Sequence, residues 1–265
     1  MLNNPLIDHG SVVITRTNRQ PGLAIAKRFA QVESELVLLE DNQDEDQTSL
    51  AEMPSVDRKL ILRGLDITQA DQCELLVQQV WEQRGPISVW INNLGDANFL
   101  PAEELSWKAW QATLSELLSG AFFCAQAVGR KMLARGSGVI LNIISIDAYM
   151  PIEGHIANSV ANAGLVALTE GLGIEWAGRG VRVVGIATGF QAAGKTFLDP
   201  FSQEHRNQSP AGEPLEAYRQ RTPLRRLVTA EEIAEAAFFL CSEAANYITA
   251  EILRVDGGWL SYQMF

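Results

Sequence analysis

Short apolar runs rich in β-branched residues alternate with longer segments of helical periodicity along most of this 265-residue chain. Because the runs are apolar throughout, they are typical of strands buried on both faces of a parallel sheet. The predicted strands lie at residues 11–15, 35–39, 60–62, 87–91, 138–144, 181–186 and 252–255. The alternation predicts an α/β fold, a single-domain, Rossmann-like, doubly wound parallel sheet with helices on both faces.

Helical patterns fill the segments between the strands, at residues 23–32, 68–83, 110–133, 156–177 and 229–241. Two of them begin with the spacing of a capping box, Thr68 with Asp71 and Thr229 with Glu232. The alternation of strands and helices stops at about residues 190–222, where Gly, Pro, Ser and mixed charges follow a strand. A connection this long is seldom passive, so we predict a lid or substrate loop there, within one domain spanning residues 1–265.

Composition and charge exclude several classes of protein. Twenty-one basic and 32 acidic side chains give a net charge of −11, which disfavours nucleic acids and anionic membranes as partners. No basic leader and no run of about 18 apolar residues occurs, so we expect a soluble cytoplasmic protein. Neither the cysteines nor the histidines have metal-site spacing, so we predict buried thiols and no metal: Cys73, Cys124, Cys241, His9, His155 and His205.

Several motifs, in the right order and spacing, resemble the short-chain dehydrogenase/reductase family. They are Asp-Ile-Thr at 66–68, Ile-Asn-Asn-Leu-Gly at 91–95, Ala-Gly-Leu-Val-Ala-Leu-Thr at 163–169 and Val-Asp-Gly-Gly-Trp at 255–259. The resemblance covers nearly the whole chain. It implies a Rossmann enzyme that moves a hydride between NAD(P) and a small-molecule carbonyl or alcohol. It also implies a homodimer or homotetramer.

The glycine-rich turn of that family, TGxxxGxG, is altered here. Thr15 and Gly22 are retained, whereas Arg16 and Gln20 stand at two glycine positions. Glycine normally lets the backbone approach the cofactor's pyrophosphate. Arg16 or Arg19 could bind that pyrophosphate instead, because a guanidinium fits phosphate in a bidentate manner. Alternatively, the bulk of Arg16 fills the space and the turn binds no nucleotide.

Other positions that resemble the family's cofactor site are retained. The resemblance places Asp66 and Ile67 at the adenine edge, and Asn92 with Gly95 on the adenosine side. Asn92 could instead only brace the sheet. Gly189 lies near the nicotinamide position, although the residue before it is threonine where the family usually has proline.

The choice between NAD and NADP depends on two residues. Glu40 ends the second predicted strand, 18 residues after Gly22, where a carboxylate would bond the ribose hydroxyls and repel a 2′-phosphate. Arg19 indicates the opposite, since family members that prefer NADP often carry a basic residue there. We expect NAD rather than NADP.

Three of the four residues that do the family's chemistry differ here. Ser145 matches the serine that orients the carbonyl, unless its hydroxyl only satisfies a backbone group. Asn158 stands for the tyrosine acid/base, and Asn162 for the lysine that lowers the tyrosine's pKa and holds the ribose. Leu117 stands for the asparagine that anchors a relay water. Because amides do not titrate, the usual acid/base catalysis is lost.

Substitute proton donors are available close by in the sequence. Asp147, Tyr149 and His155 all follow Ser145 within ten residues. Asp147 and His155 could form an acid/base pair. They could equally be ordinary loop residues.

Three functional hypotheses remain. The first, which we favour because the adenosine-side motifs survive, is a divergent NAD(P)(H)-dependent oxidoreductase acting on a carbonyl, imine or activated alkene, with a non-standard proton donor or water. The second is a non-redox isomerase, dehydratase or cyclase, in which Ser145, Asn158 and Asn162 form a neutral hydrogen-bonding cradle. The third is a non-catalytic homologue that serves as a ligand sensor or as a partner subunit in a hetero-oligomer with an active homologue.

Overall fold

The strands of this computed structural model form one parallel sheet. The structure describes residues 10–32, 34–40, 59–95, 100–191 and 215–262, with only the backbone for 215–217. The strands are β1 (Ser11–Ile14), β2 (Leu36–Glu40), β3 (Lys59–Arg63), β4 (Ile87–Asn92), β5 (Gly138–Ser145), β6 (Val181–Thr188) and β7 (Ile252–Val255). Their order in the seven-stranded sheet is β3-β2-β1-β4-β5-β6-β7. The predicted doubly wound sheet is confirmed.

Helices cover both faces of the sheet. They are α1 (Gly22–Phe29), α2 (Ala70–Arg84), α3 (Trp107–Leu114), α4 (Gly120–Arg135), α5 (Ile156–Ala177), α6 (Leu215–Arg221) and α7 (Ala230–Leu240). On one face α1 packs against α7, where the rings of Phe29 and Phe238 meet edge to face at 5.3 Å. On the other face α2, α4 and α5 bury Trp90 of β4 together with Val128 and Trp176. Large apolar side chains thus fill both layers.

The strand order places a ligand crevice between β1 and β4. From β1 the chain adds β2 and β3 on one side, and from β4 it adds the remaining strands on the other. The two strands are paired in parallel, with Ile14 opposite Ile91. Open α/β sheets bind ligands beyond the carboxyl ends of the strands where the winding reverses. The segments that follow Ile14 and Asn92 border that crevice.

One of the two predicted capping boxes is present. The Thr229 hydroxyl accepts the Glu232 N–H at 3.2 Å, and the Glu232 carboxylate accepts the Thr229 N–H at 3.0 Å. The predicted box at Thr68 is wrong, because α2 begins later, after Gln69, which makes no side-chain cap. The N–H and hydroxyl of Thr68 instead donate to Asp66 at 3.0 and 2.6 Å. Because the Asp66 side chain closes a local turn around Thr68, the threonine does not serve as the N-cap of α2.

The segment predicted as one helix at 110–133 is also different. It begins earlier, at Trp107 after the cap of Ser106, and is divided by a π-helical turn at Ser115–Ser119. The pattern of apolar residues in the sequence does not distinguish a π turn, which has one extra residue, from a regular α-helical turn. Such π turns are frequent at functional sites. Leu117 lies in this π turn, buried in an apolar cluster.

Most of the predicted loop at 190–222 lies outside the described residues, which resume at 215. Its last part is helix α6, so the segment is not a loop throughout. Its first part is held at Gln191, which pairs in parallel with Val228. Among the helices that the structure describes, none is long and apolar enough to cross a membrane.

Candidate functional site

A cavity of about 520 Å³ opens at the carboxyl ends of β1, β2 and β3, beside the crevice. Six of the residues that line it are predicted from the sequence to form a cofactor site: Thr15, Arg16, Arg19, Glu40, Asp66 and Ile67. The far wall comes from Leu94 and from the end of α3 with the π turn, including Ser115 and Glu116. The fold therefore gathers residues distant in sequence around one open space.

The two retained residues of the altered turn hold it against the end of β4. The Thr15 hydroxyl accepts the backbone N–H of Asn93 at 2.7 Å. At Gly22 a Cβ would lie 2.5 Å from both the Arg16 carbonyl and the Asn93 amide nitrogen. A side chain there would force the helix away from the turn, so glycine is required for packing.

Arg16 keeps a backbone conformation suited to the glycine that it replaces, with φ at 49°. Its Nη1 donates to the Gly95 carbonyl at 2.9 Å, and its Nη2 is ion-paired with Glu116. Its side chain is only 11% exposed. Arg16 therefore spans the crevice from the end of β1 to the end of β4 and on to the π turn.

Gln20, at the second altered glycine position, caps helix α1. Its Oε1 accepts the Ala24 N–H at 3.3 Å. Pro21 offers no N–H. A helix start can bind phosphate through its unpaired N–H groups. Here one of those donors is already used by Gln20.

The cavity is lined by the two charged side chains on which the predicted choice of cofactor depends, Glu40 and Arg19. Glu40 accepts from Arg63 Nε at 2.7 Å, and its side chain is nearly buried. Arg19 lines the same cavity. The Glu40 carboxylate is therefore partly neutralised by Arg63.

Asn92 belongs to a buried hydrogen-bond network that crosses the sheet. It accepts from Trp90 Nε1 at 2.7 Å and donates to Asn142 Oδ1 at 2.8 Å. Asn142 donates to the Thr169 hydroxyl at 2.9 Å, which ties β5 to α5. In this geometry Asn92 braces the sheet.

Around Ser145, at the end of β5, the two asparagines of α5 form a neutral cluster. Asn162 accepts the Ser145 N–H at 2.9 Å and donates to the Asn158 carbonyl at 2.9 Å. All three residues are largely buried. Asn162 thus uses both polar atoms to hold Ser145 and the first turns of α5 together.

Asp147 and His155 meet beside Ser145. The Asp147 N–H donates to the Ser145 hydroxyl at 3.3 Å, and its Oδ2 lies 3.5 Å from His155 Nδ1. Both side chains are only 2% exposed. The structure brings this predicted pair together. Both members of the pair are shielded from solvent.

Tyr149 lies against β7. The Arg254 guanidinium carbon sits 5.2 Å from the centre of its ring. Partial burial raises the pKa of the Tyr149 phenol, and the nearby Arg254 charge opposes this in part. The phenol is therefore neutral at pH 7.

The segment after β6 approaches β7 closely. The Gly189 N–H donates to the Val255 carbonyl at 3.0 Å, and a Cβ on Gly189 would lie 2.9 Å from the Asp256 Cα. The hydroxyl of the preceding residue, Thr188, is buried without a hydrogen-bond partner among the described residues. Glycine is needed here for the same steric reason as at position 22.

Glu116 is the site residue that the sequence reasoning missed. A signal was available, since Glu116 directly precedes Leu117, one of the altered family positions. An arginine at a position where the family has glycine, and an acid next to another altered family position, together indicate an ion pair that accommodates the arginine. Across the described ranges, no group of three His, Cys, Asp or Glu side chains is placed to hold a metal ion.

Known proteins resemble this chain over nearly its full length. A family model described as enoyl-(acyl carrier protein) reductase matches residues 19–260. Gluconate 5-dehydrogenase of Gluconobacter oxydans (strain 621H) is 32% identical over 248 residues, 93% of each chain. A short-chain dehydrogenase structure from Bacillus anthracis str. 'Ames Ancestor' has a TM-score of 0.83 at 30% identity, covering 97% of this chain and 99% of that one.

Solved structures of similar fold include complexes with ligands. A gluconate 5-dehydrogenase from Burkholderia cenocepacia J2315, in complex with NADP and tartrate, has a TM-score of 0.83 at 25% identity. The match covers 99% of both chains.

Proposed function

The chain belongs to the short-chain dehydrogenase/reductase family, and on that premise we propose that it is an oxidoreductase that binds a nicotinamide adenine dinucleotide. The observation that carries the proposal is the cavity of about 520 Å³ at the ends of β1–β3. Residues from three successive strand ends line it, and it adjoins the crevice where such sheets bind dinucleotides. The adenosine half of the cofactor would lie in this cavity.

The residues fit the two halves of the cofactor unequally. On the adenosine side, Asp66 and Ile67 line open space and Glu40 stands at its rim. On the pyrophosphate side, Arg16 is a suitable phosphate ligand but is paired with Glu116. The dinucleotide therefore fits once Arg16 exchanges its partner.

We propose NAD as the preferred cofactor. The Glu40 carboxylate would repel a 2′-phosphate. Its bond with Arg63, and Arg19 across the same cavity, reduce that repulsion. We therefore expect a modest preference and measurable binding of NADPH.

When bound, the dinucleotide supplies or accepts the hydride. The Ser145 hydroxyl would donate a hydrogen bond to the substrate oxygen, with Asn162 fixing its backbone. The Asn158 amide could add a second neutral donor. Since Asp147 and His155 are buried against each other, we propose that the proton comes from water.

The expected activity is low. General acid/base catalysis contributes roughly 10²–10⁴-fold in rate, and amides at 158 and 162 forgo it. We propose carbonyl, imine or activated-alkene substrates, and we place polyhydroxylated acids first because relatives carry the name gluconate 5-dehydrogenase. Assembly into a homodimer or homotetramer stays a prediction.

Calorimetry with NADH and NADPH, followed by NADH consumption on a panel of keto-acids, tests the proposal. We expect binding of NADH and slow turnover. The variant Asn158→Tyr with Asn162→Lys should raise the rate by about 100-fold, because it places a phenol and an ammonium four residues apart on α5. Asn158→Phe with Asn162→Met is the non-titrating control of similar size. If neither nicotinamide cofactor binds, the proposal fails.

A second candidate is a non-catalytic homologue acting as a ligand sensor or partner subunit. It is favoured by one observation: Arg16 and Asn162 both find their partners within the chain, so the site is internally satisfied. Co-purification with an active family member, together with no turnover by the isolated protein, would support it. Turnover by a purified homo-oligomer would exclude it. Turnover without added cofactor would instead favour a non-redox enzyme.

A further inference from the structure

Arg16 and Glu116 meet at the wall of the proposed dinucleotide cavity. Arg16 follows β1, and the Gly95 carbonyl that it binds follows β4, so its side chain bridges the two strands at the switch point. Both Arg16 and Glu116 line the cavity of about 520 Å³. Arg16 therefore lies at the switch point between β1 and β4, where sheets of this kind bind ligands.

Glu116 offers Arg16 the same kind of partner that a phosphate would. A guanidinium binds carboxylates and phosphates through the same pair of parallel N–H donors. The Arg16 side chain is 11% exposed and that of Glu116 is 31% exposed. A pair withdrawn from solvent to this degree is screened less by salt than a surface pair.

Gln20 provides a second, independent observation of a side chain of the protein on a donor that could otherwise bind a phosphate. Its Oε1 caps the Ala24 N–H at the start of α1, where phosphate oxygens bind in nucleotide sites. Arg16 and Gln20 both occupy positions where the family's turn has glycine. Two oxygen-bearing side chains of the chain itself, Glu116 and Gln20, therefore occupy donors that could otherwise bind a phosphate.

We infer that Glu116 is a built-in competitor for the pyrophosphate, and that the exchange of its carboxylate for pyrophosphate on Arg16 sets the affinity for dinucleotides. This inference rests on the proposed function, because it takes a nicotinamide dinucleotide as the ligand. A ligand without phosphate, such as adenosine, would enter the cavity without displacing Glu116. NADH would have to displace it.

Titration calorimetry of NADH and of adenosine separates these effects. Glu116→Gln keeps the size of the side chain but removes its charge, so NADH should bind about tenfold more tightly, equivalent to about 1.4 kcal/mol. Adenosine binding should not change. Arg16→Gln should weaken NADH binding and abolish the gain from Glu116→Gln.

Glu235→Gln is the matched control. It removes the same charge from another Arg–Glu pair, with Arg28, on the α1–α7 face away from the cavity. We expect no change in the affinity for either ligand. An equal gain in this control would overturn the inference, because the effect would then be one of net charge.

The remaining outcomes distinguish the inference from the proposed function. If the wild type binds NADH and Glu116→Gln binds it no more tightly, the inference is overturned and the proposed function stands. If neither protein binds NADH or NADPH, both fail. If circular dichroism shows that Glu116→Gln is unfolded, Glu116→Ala and Arg16→Gln provide the same comparison.

Discussion

Gly22→Ala tests the close contact between helix α1 and the altered turn. The new Cβ would lie 2.5 Å from the Arg16 carbonyl and 2.5 Å from the Asn93 amide nitrogen, so the helix start must move. Overpacking of this kind costs about 1–3 kcal/mol, and loss of the 3.2 Å bond from Asn93 to Arg16 about 1 kcal/mol more. Alanine's better helix propensity returns at most about 1 kcal/mol. We expect a net loss of roughly 2 kcal/mol.

Scanning calorimetry and urea unfolding measure that loss. For a domain of this size, 2 kcal/mol corresponds to a Tm lower by roughly 4–8 °C. Gly171→Ala is the matched control, because its Cβ meets nothing within 4 Å in the interior of α5. That change should stabilise the protein by about 0.5–1 kcal/mol. If Gly22→Ala unfolds within 1 °C of the wild type, the packing of the turn described above is wrong.

Three further changes probe other parts of the structure. Asp147→Ala takes a polar neighbour from buried His155 and should cost about 1–3 kcal/mol in urea unfolding, whereas no measurable loss would contradict the burial of the pair. Hydrogen bonds, first from Arg226 and then from the Thr229 backbone, lower the pKa of Glu232 to about 2. The stability that these hydrogen bonds give the folded protein is therefore fully present above the ordinary carboxyl pKa and is lost as the pH falls through about 2. Because the pair is exposed, Glu232→Gln should cost less than about 1 kcal/mol at pH 7 and almost nothing at pH 2, and equal losses would refute this. Glu40→Ser should raise the NADPH to NADH affinity ratio about tenfold in calorimetry, and an unchanged ratio would exclude a role for Glu40 in cofactor choice.

The sheet could be predicted from the sequence because its strands are apolar throughout and few other structures bury such runs. The strand ends could not. β6 extends to Thr188 because it pairs with β7, as in Thr188 opposite Val255, and pairing between distant strands leaves no local signal. The π turn at Ser115–Ser119 was missed for a similar reason, since an extra residue in a turn changes the apolar pattern little.

Residues of the candidate site could be predicted only where their position depends on the local sequence rather than on a partner distant in the chain. Thr15 and Asp66 line the cavity because they follow strand ends, and Gly22 packs the start of α1 against the turn. The pair between Arg16 and Glu116 joins residues a hundred positions apart, so its existence depends on the fold. Asn162 illustrates the same limit. Its identity excludes a proton relay, but only the structure places its two polar atoms on Ser145 and Asn158.

A crystal structure of the protein soaked with NADH would show directly whether the cavity binds the dinucleotide. We predict the adenosine half in the cavity lined by Glu40, Asp66 and Ile67, with the pyrophosphate on Arg16 and Glu116 turned away. Density for the cofactor elsewhere, or none in crystals soaked at saturating NADH while Arg16 still holds Glu116, would contradict it.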